Sequence, residues 1–133
     1  MNRDVEEEAA TGAAARPRCS QSTLRGTYLF ADHGVDTTGK TFAGVGCEVF
    51  DGNGNIEGVF SANFNGKITR NEPLSGTYTV KADCTSTATY ADGTRYDQLI
   101  APDGSMLTFV QTKPSEFVTS GFELRGSAKR VGE

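Results

Sequence analysis

The chain has no tryptophan and only one histidine, His33. A serine or cysteine triad would have to use that imidazole as its base, and no G-x-S-x-G elbow accompanies it. One histidine without clustered partners also leaves too few ligands for a catalytic metal. Cysteine is scarce: Cys19, Cys47 and Cys84 are an odd number, with no C-x-x-C and no zinc-like spacing. At most one intramolecular bridge can form. Position favours Cys19 with Cys84, because one precedes the first predicted strand and the other follows a strand end, while Cys47 sits inside an apolar run. Three free thiols are the alternative.

Long hydrophobic runs are missing as well. Nothing approaches the roughly 18 apolar residues of a membrane helix, so no membrane role is expected. There is no basic run and no interleaving of basic with aromatic residues, and the net charge is −4, so no nucleic-acid partner is expected. Residues 1–18 lack an apolar stretch flanked by basic residues and do not read as a secretory leader. A native Met1 implies a cytoplasmic protein; a leader removed ahead of it implies a secreted one. Glu6, Glu7 and Glu8 precede an alanine-rich stretch. The segment is read either as disordered or as a lid over a barrel mouth.

What the chain does have is glycine and aromatic residues: sixteen Gly, eight Phe and four Tyr in 133 residues. Asp51-Gly52, Asn65-Gly66, Asp92-Gly93 and Asp103-Gly104 are each flanked by Val, Thr, Phe and Tyr. Such pairs supply the positive φ angles of tight hairpins. Strands are predicted near 25–32, 41–50, 56–65, 74–81, 84–91, 95–101, 105–112 and 116–125. Connections this short exclude parallel pairing. About eight antiparallel strands then close most simply into one all-β barrel, which leaves no edge exposed; an open sandwich is the alternative. The barrel domain is assigned to residues 19–127, with a tail at 128–133.

Strand residues two apart share a face. Tyr28 and Phe30 therefore point together, with Asp32 and His33 at the strand end, one of them facing the mouth. Phe42, Gly44, Gly46, Glu48 and Phe50 form a second inward set, and Ile56, Gly58, Phe60, Ala62 and Phe64 a third. Leu74, Gly76, Tyr78 and Val80 share a face on the fourth strand, and Leu107, Phe109 and Gln111 on the seventh. In the last strand Phe117, Gly121, Glu123 and Arg125 compete with Val118, Phe122 and Leu124 for the interior.

Glu48 carries the most information. A carboxylate among inward residues must be paired or neutral, and desolvation would move its pKa toward values useful for acid-base chemistry. The alternatives are a structural ion pair, for instance with Arg125, or an outward register. Glu123 joins Glu48 in the lumen if Gly121 and Phe117 point inward, and two carboxyls in one apolar cavity split into an acid and a base. Catalytic candidates are thus Glu48, Asp32, Glu123 and Tyr78. Tyr28, Phe30, His33, Phe50, Phe60, Tyr96, Gln98, Phe109 and Gln111 are candidates for shaping the cavity or orienting a substrate. Two other patterns fail: Asp51-Gly52-Asn53-Gly54-Asn55 opens like a calcium loop but has Ile56 where glycine is needed and Ala62 where glutamate is needed, and Gly44-Val45-Gly46 lacks the third glycine of a dinucleotide fingerprint.

Cys19-Ser20 and Leu24-Arg25-Gly26-Thr27-Tyr28-Leu29-Phe30 resemble the opening of the bacterial allene-oxide-cyclase-like barrels. Phe50-Asp51-Gly52-Asn53-Gly54, Gly76-Thr77-Tyr78-Thr79-Val80, Asp83-Cys84-Thr85 and Gly121 to Arg125 continue that resemblance across roughly residues 19–125. Barrels of this class include plant allene oxide cyclase, a pyocyanin demethylase and polyketide spirocyclases. The resemblance implies a lumen that holds an apolar small-molecule substrate without a cofactor, often in a homodimer or homotrimer. It also implies a bridge between Cys19 and Cys84. The expected activity is that of an isomerase or cyclase in natural-product metabolism; the alternatives are a non-catalytic binding barrel and a phenazine demethylase-like enzyme.

Overall fold

The computed structural model describes residues 18–126. The lid or disorder expected ahead of Arg18, and the tail expected at 128–133, fall outside those residues. Eight strands, β1 (Arg25–Asp36), β2 (Thr41–Asp51), β3 (Asn55–Phe64), β4 (Lys67–Val80), β5 (Thr85–Tyr90), β6 (Arg95–Ile100), β7 (Met106–Lys113) and β8 (Phe117–Arg125), follow one another around a closed antiparallel barrel. β8 pairs back onto β1, from Tyr28 opposite Arg125 to Asp36 opposite Phe117. A sandwich is thereby excluded. No helix among the described residues is long and apolar enough to cross a membrane.

Asx-Gly chemistry makes the turns. The carboxylates of Asp51, Asp92 and Asp103 each accept from the backbone N–H two residues on, at 2.7, 3.0 and 2.9 Å. The glycines beside them take the left-handed φ that lets the chain reverse, for example 93° at Gly93. β4 departs from expectation by beginning at Lys67, ahead of Pro73. Proline removes a ladder donor, but β4 pairs with β5 only from Gly76 to Val80. Pro73 therefore pairs on one side only, with β3, where a missing N–H is tolerated.

The two ends of the barrel are built differently. At the end where β1 starts, Leu24, Tyr28, Phe50, Ile56, Tyr78, Ala88, Ile100 and Leu107 pack into one buried core in the interior. The rings of Tyr28, Phe50 and Tyr78 stack edge to face with centroids 5.0 and 5.1 Å apart. A 3-10 turn over Gln21–Thr23 plugs this end. The Gln21 side chain accepts from the Val80 N–H at 2.6 Å and donates to the Tyr78 carbonyl at 3.0 Å. Cys19 and Cys84 are joined by a disulfide, and Cys47 is free.

Candidate functional site

The other half of the barrel is a chamber of about 1030 Å³, open at the end where β1 finishes. Its volume follows from sequence. Gly44 and Gly46 on β2, Gly58 on β3 and Gly121 on β8 occupy wall positions where a side chain would reach inward or press on the neighbouring strand. A Cβ on Gly46 would collide with the Phe30 ring, which occupies that space instead. A Cβ on Gly44 would lie 2.6 Å from Asp32 Oδ1, and one on Gly121 2.7 Å from Asp32 Cβ. The two glycines are the cross-strand partners of Asp32 on either side, and they leave the room its carboxyl occupies.

The walls are aromatic: Phe30, Phe42, Phe60, Phe64, Tyr90, Tyr96, Phe109 and Phe117 all line the chamber. Tyr90, Tyr96 and Phe109 run edge to face across β5, β6 and β7, with centroids 5.7 and 5.3 Å apart. Phe64 and Phe117 meet at the mouth, 6.0 Å apart.

The floor is acidic. Glu48, Glu123 and Gln98 are 1%, 2% and 3% exposed. The Gln98 side-chain Oε1 accepts from Ser86 Oγ at 2.9 Å, closing the floor on the β5–β6 side. Tyr90 Oη donates to Glu48, 2.9 Å from Oε1 and 3.1 Å from Oε2. Glu48 and Glu123 project from β2 and β8 on either side of β1 and lie within hydrogen-bond reach of each other. Two carboxylates cannot bond to each other; one must keep its proton. Burial raises both. The nearby negative charge of Glu48 and the bond to it push Glu123 well above the usual carboxyl range, whereas hydrogen bonds from Glu123 and Tyr90 pull Glu48 partly back down. Glu123 is therefore the acid of the pair and Glu48 the base. Asp32, deeper in the wall than its place at a strand end suggests, is raised to about 6, chiefly by burial. Asp32 Oδ1 and Glu123 Oε1 are buried and have no hydrogen-bond partner among the described residues.

These shifts set a pH dependence. Asp32 is protonated in both the folded and the unfolded chain at low pH. It ionises later when folded, so its contribution to stability is present below about pH 4 and lost as pH rises through about 6. Asp32→Asn should leave stability at pH 4 unchanged and raise it at pH 7.5 by on the order of 2 kcal/mol. Urea unfolding at the two pH values checks this; an equal change at both would rule out the burial of Asp32 as its cause.

Most of the expected site residues do meet in the chamber: Glu48, Glu123, Asp32, Phe30, Phe60, Tyr96, Gln98, Phe109 and Gln111 all line it. Four do not. His33 follows Asp32 on a strand, so it points outward and is exposed. Tyr28, Phe50 and Tyr78 lie inside the barrel but in its filled half. The Tyr28 hydroxyl donates to the Gly104 carbonyl. That of Tyr78 donates to the Leu24 carbonyl at 2.8 Å and lies 3.0 Å from that of Gln21. Both phenols are committed to holding the closed end. Arg125 does not pair with Glu48 either: its guanidinium donates to the Asp103 carbonyl at 3.0 Å. In β8 the competing register resolves in favour of Phe117, Thr119, Gly121 and Glu123, leaving Val118, Phe122 and Leu124 exposed. Phe42, Phe64, Phe117 and Tyr90 line the chamber without having been expected as site residues, and of these Tyr90 bonds the acidic floor. The signal was available, since Ala88 and Tyr90 are spaced two apart in a predicted strand and so share a face.

No family model matches the chain, and no curated protein does. The resemblance to allene-oxide-cyclase-like barrels gains no support there. Among solved structures it is similar to a de novo designed fluorescence-activating β-barrel, with 16% identity and a TM-score of 0.44 over 78% of this chain and 94% of that one. It is also similar to a redesigned β-barrel, with 19% identity and a TM-score of 0.47 over 85% of this chain and all of that one, 100%. Likeness at this level identifies neither a family nor a function.

Proposed function

We propose that the open half of the barrel encloses a mostly apolar small molecule and moves a proton on it, as a cofactor-independent isomerase or cyclase of natural-product metabolism would. One observation carries this reading: a buried acid-base pair, Glu48 and Glu123, stands at the floor of an aromatic-walled chamber with an open mouth. A chamber of this size takes a molecule of several rings or a folded polyene. Aromatic walls would hold it in a reactive shape and exclude water, a contribution of about 7–11 kcal/mol for well-oriented reactants. Glu48 would then take a proton from carbon. Glu123 or Tyr90 would donate to the oxygen on which charge develops. The Cys19–Cys84 bridge supports an oxidising compartment for such a protein.

Nitrobenzisoxazole, a flat carbon acid small enough to enter, tests the reading. Loss of its ring proton to a base breaks the N–O bond and yields a coloured cyanophenolate. Wild type should accelerate this opening at pH 8. Glu48→Gln should lower the rate by roughly a hundred-fold or more while binding the neutral dye Nile red as wild type does. A wild type no faster than acetate at equal concentration, or a Glu48→Gln variant as fast as wild type, would reduce the protein to a binding barrel. Failure to bind Nile red would remove the chamber reading itself.

A further inference from the structure

The chamber is acidic and nothing in its wall answers that charge. Asp32, Glu48 and Glu123 face it, and Asp92 stands at its rim. None of the described residues that line it is Lys, Arg or His. Buried carboxyls ordinarily find a cation or a donor. Here Glu48 has Tyr90 and Glu123, but Glu123 Oε1 and Asp32 Oδ1 have no partner. The first belongs to a side chain only 2% exposed, and both residues line the same space. Gly44 and Gly121 keep bulk away from Asp32 on both flanks, which leaves room for its carboxyl in the chamber wall. Around these acceptors stand Phe30, Tyr96 and Phe109. Ring faces attract cations, most strongly where water is excluded.

From this combination we infer that the chamber's ligand is a cation, an apolar ring system carrying a protonated nitrogen whose N–H groups bond Asp32 Oδ1 and Glu123 Oε1. The inference rests on the proposal that the open half is a ligand chamber, and it narrows the substrate class. An anion would meet carboxylates with no counter-charge and is excluded. A neutral hydrocarbon would leave both buried oxygens unbonded, so it forgoes what the cation gains. Asp32 then acts as an anchor for the nitrogen, leaving Glu48 free for the proton chemistry.

Three dyes on one three-ring frame separate these cases at pH 8: 9-aminoacridine is a cation, acridine is neutral, and acridine-9-carboxylate is an anion. Fluorescence titration of the wild type should give 9-aminoacridine roughly ten-fold or more tighter binding than acridine, with the carboxylate weakest. Asp32→Asn, which keeps the shape and removes the charge, should erase most of that preference. Acridine binding as tightly as 9-aminoacridine to wild type overturns the inference, as does a full cation preference in Asp32→Asn. In either case the proton-transfer reading stands if nitrobenzisoxazole is still turned over. Absence of binding by all three dyes and by Nile red removes the chamber reading instead.

Discussion

Phe50→Ala should destabilise the barrel by about 3–5 kcal/mol, whereas Phe109→Ala should cost only about 1 kcal/mol. The residues are of one type and both point inward; what differs is the half of the barrel each occupies. Phe50 is fully buried between Tyr28 and Tyr78, touching both rings edge to face. Its removal leaves a void that the neighbours cannot close, because their hydroxyls are tied to the Gly104 and Leu24 carbonyls. A void that cannot collapse puts the loss at the upper end of the range. Phe109 packs against Tyr96 on one side and faces the chamber on the other. Truncating it enlarges a space that already exists. Guanidinium unfolding of the two variants checks the difference, and equal losses would mean that the barrel is packed alike at both ends.

Removing the Cys19–Cys84 bridge, by Cys19→Ala with Cys84→Ala or by reductant, should cost the protein roughly 4 kcal/mol. The bond spans 65 residues. In the chain-entropy account a loop this long strongly restricts the unfolded ensemble. The native state loses something too, since Cys19 anchors the segment that carries the Gln21–Thr23 plug and its N–H donates to the Ala82 carbonyl at 3.1 Å. Melting should fall by on the order of 20 °C, with equal effects from reductant and from the double substitution. Cys47 lies on β2, outside this pairing, so Cys47→Ser should not reproduce the loss. A protein whose melting ignores reductant would show the closed end to be held by packing alone.

Much of this architecture was legible in the residues. Aspartate or asparagine before glycine marks the hairpins, and alternation along β2 and β3 by itself puts Glu48, Phe50, Ile56 and Phe60 on the inner face. That legibility has a physical origin: a turn of two residues and a period of two are local properties, set by backbone φ and by the pleat. Glu123 was harder, because both faces of β8 carry apolar residues and either could have been buried. Only its pairing with β1, which sets Glu123 opposite Phe30, decides the matter. His33 and Asp32 illustrate the same limit. Adjacent residues on a strand must point apart, but which one enters depends on the register of the whole sheet.

The sequence by itself thus determined the strands, their antiparallel order and the presence of carboxyls on an inner wall. Tertiary structure decided how far the barrel is filled. Tyr28, Phe50 and Tyr78 have the right face for a binding site, yet closure brings their rings together with the Gln21–Thr23 plug and uses them as core. The inward glycines of β2 and β8 meet around Asp32 only because β1 lies between those strands. Volume inside a barrel is a sum over all its strands, and so is the company a buried carboxyl keeps; neither can be read along one of them.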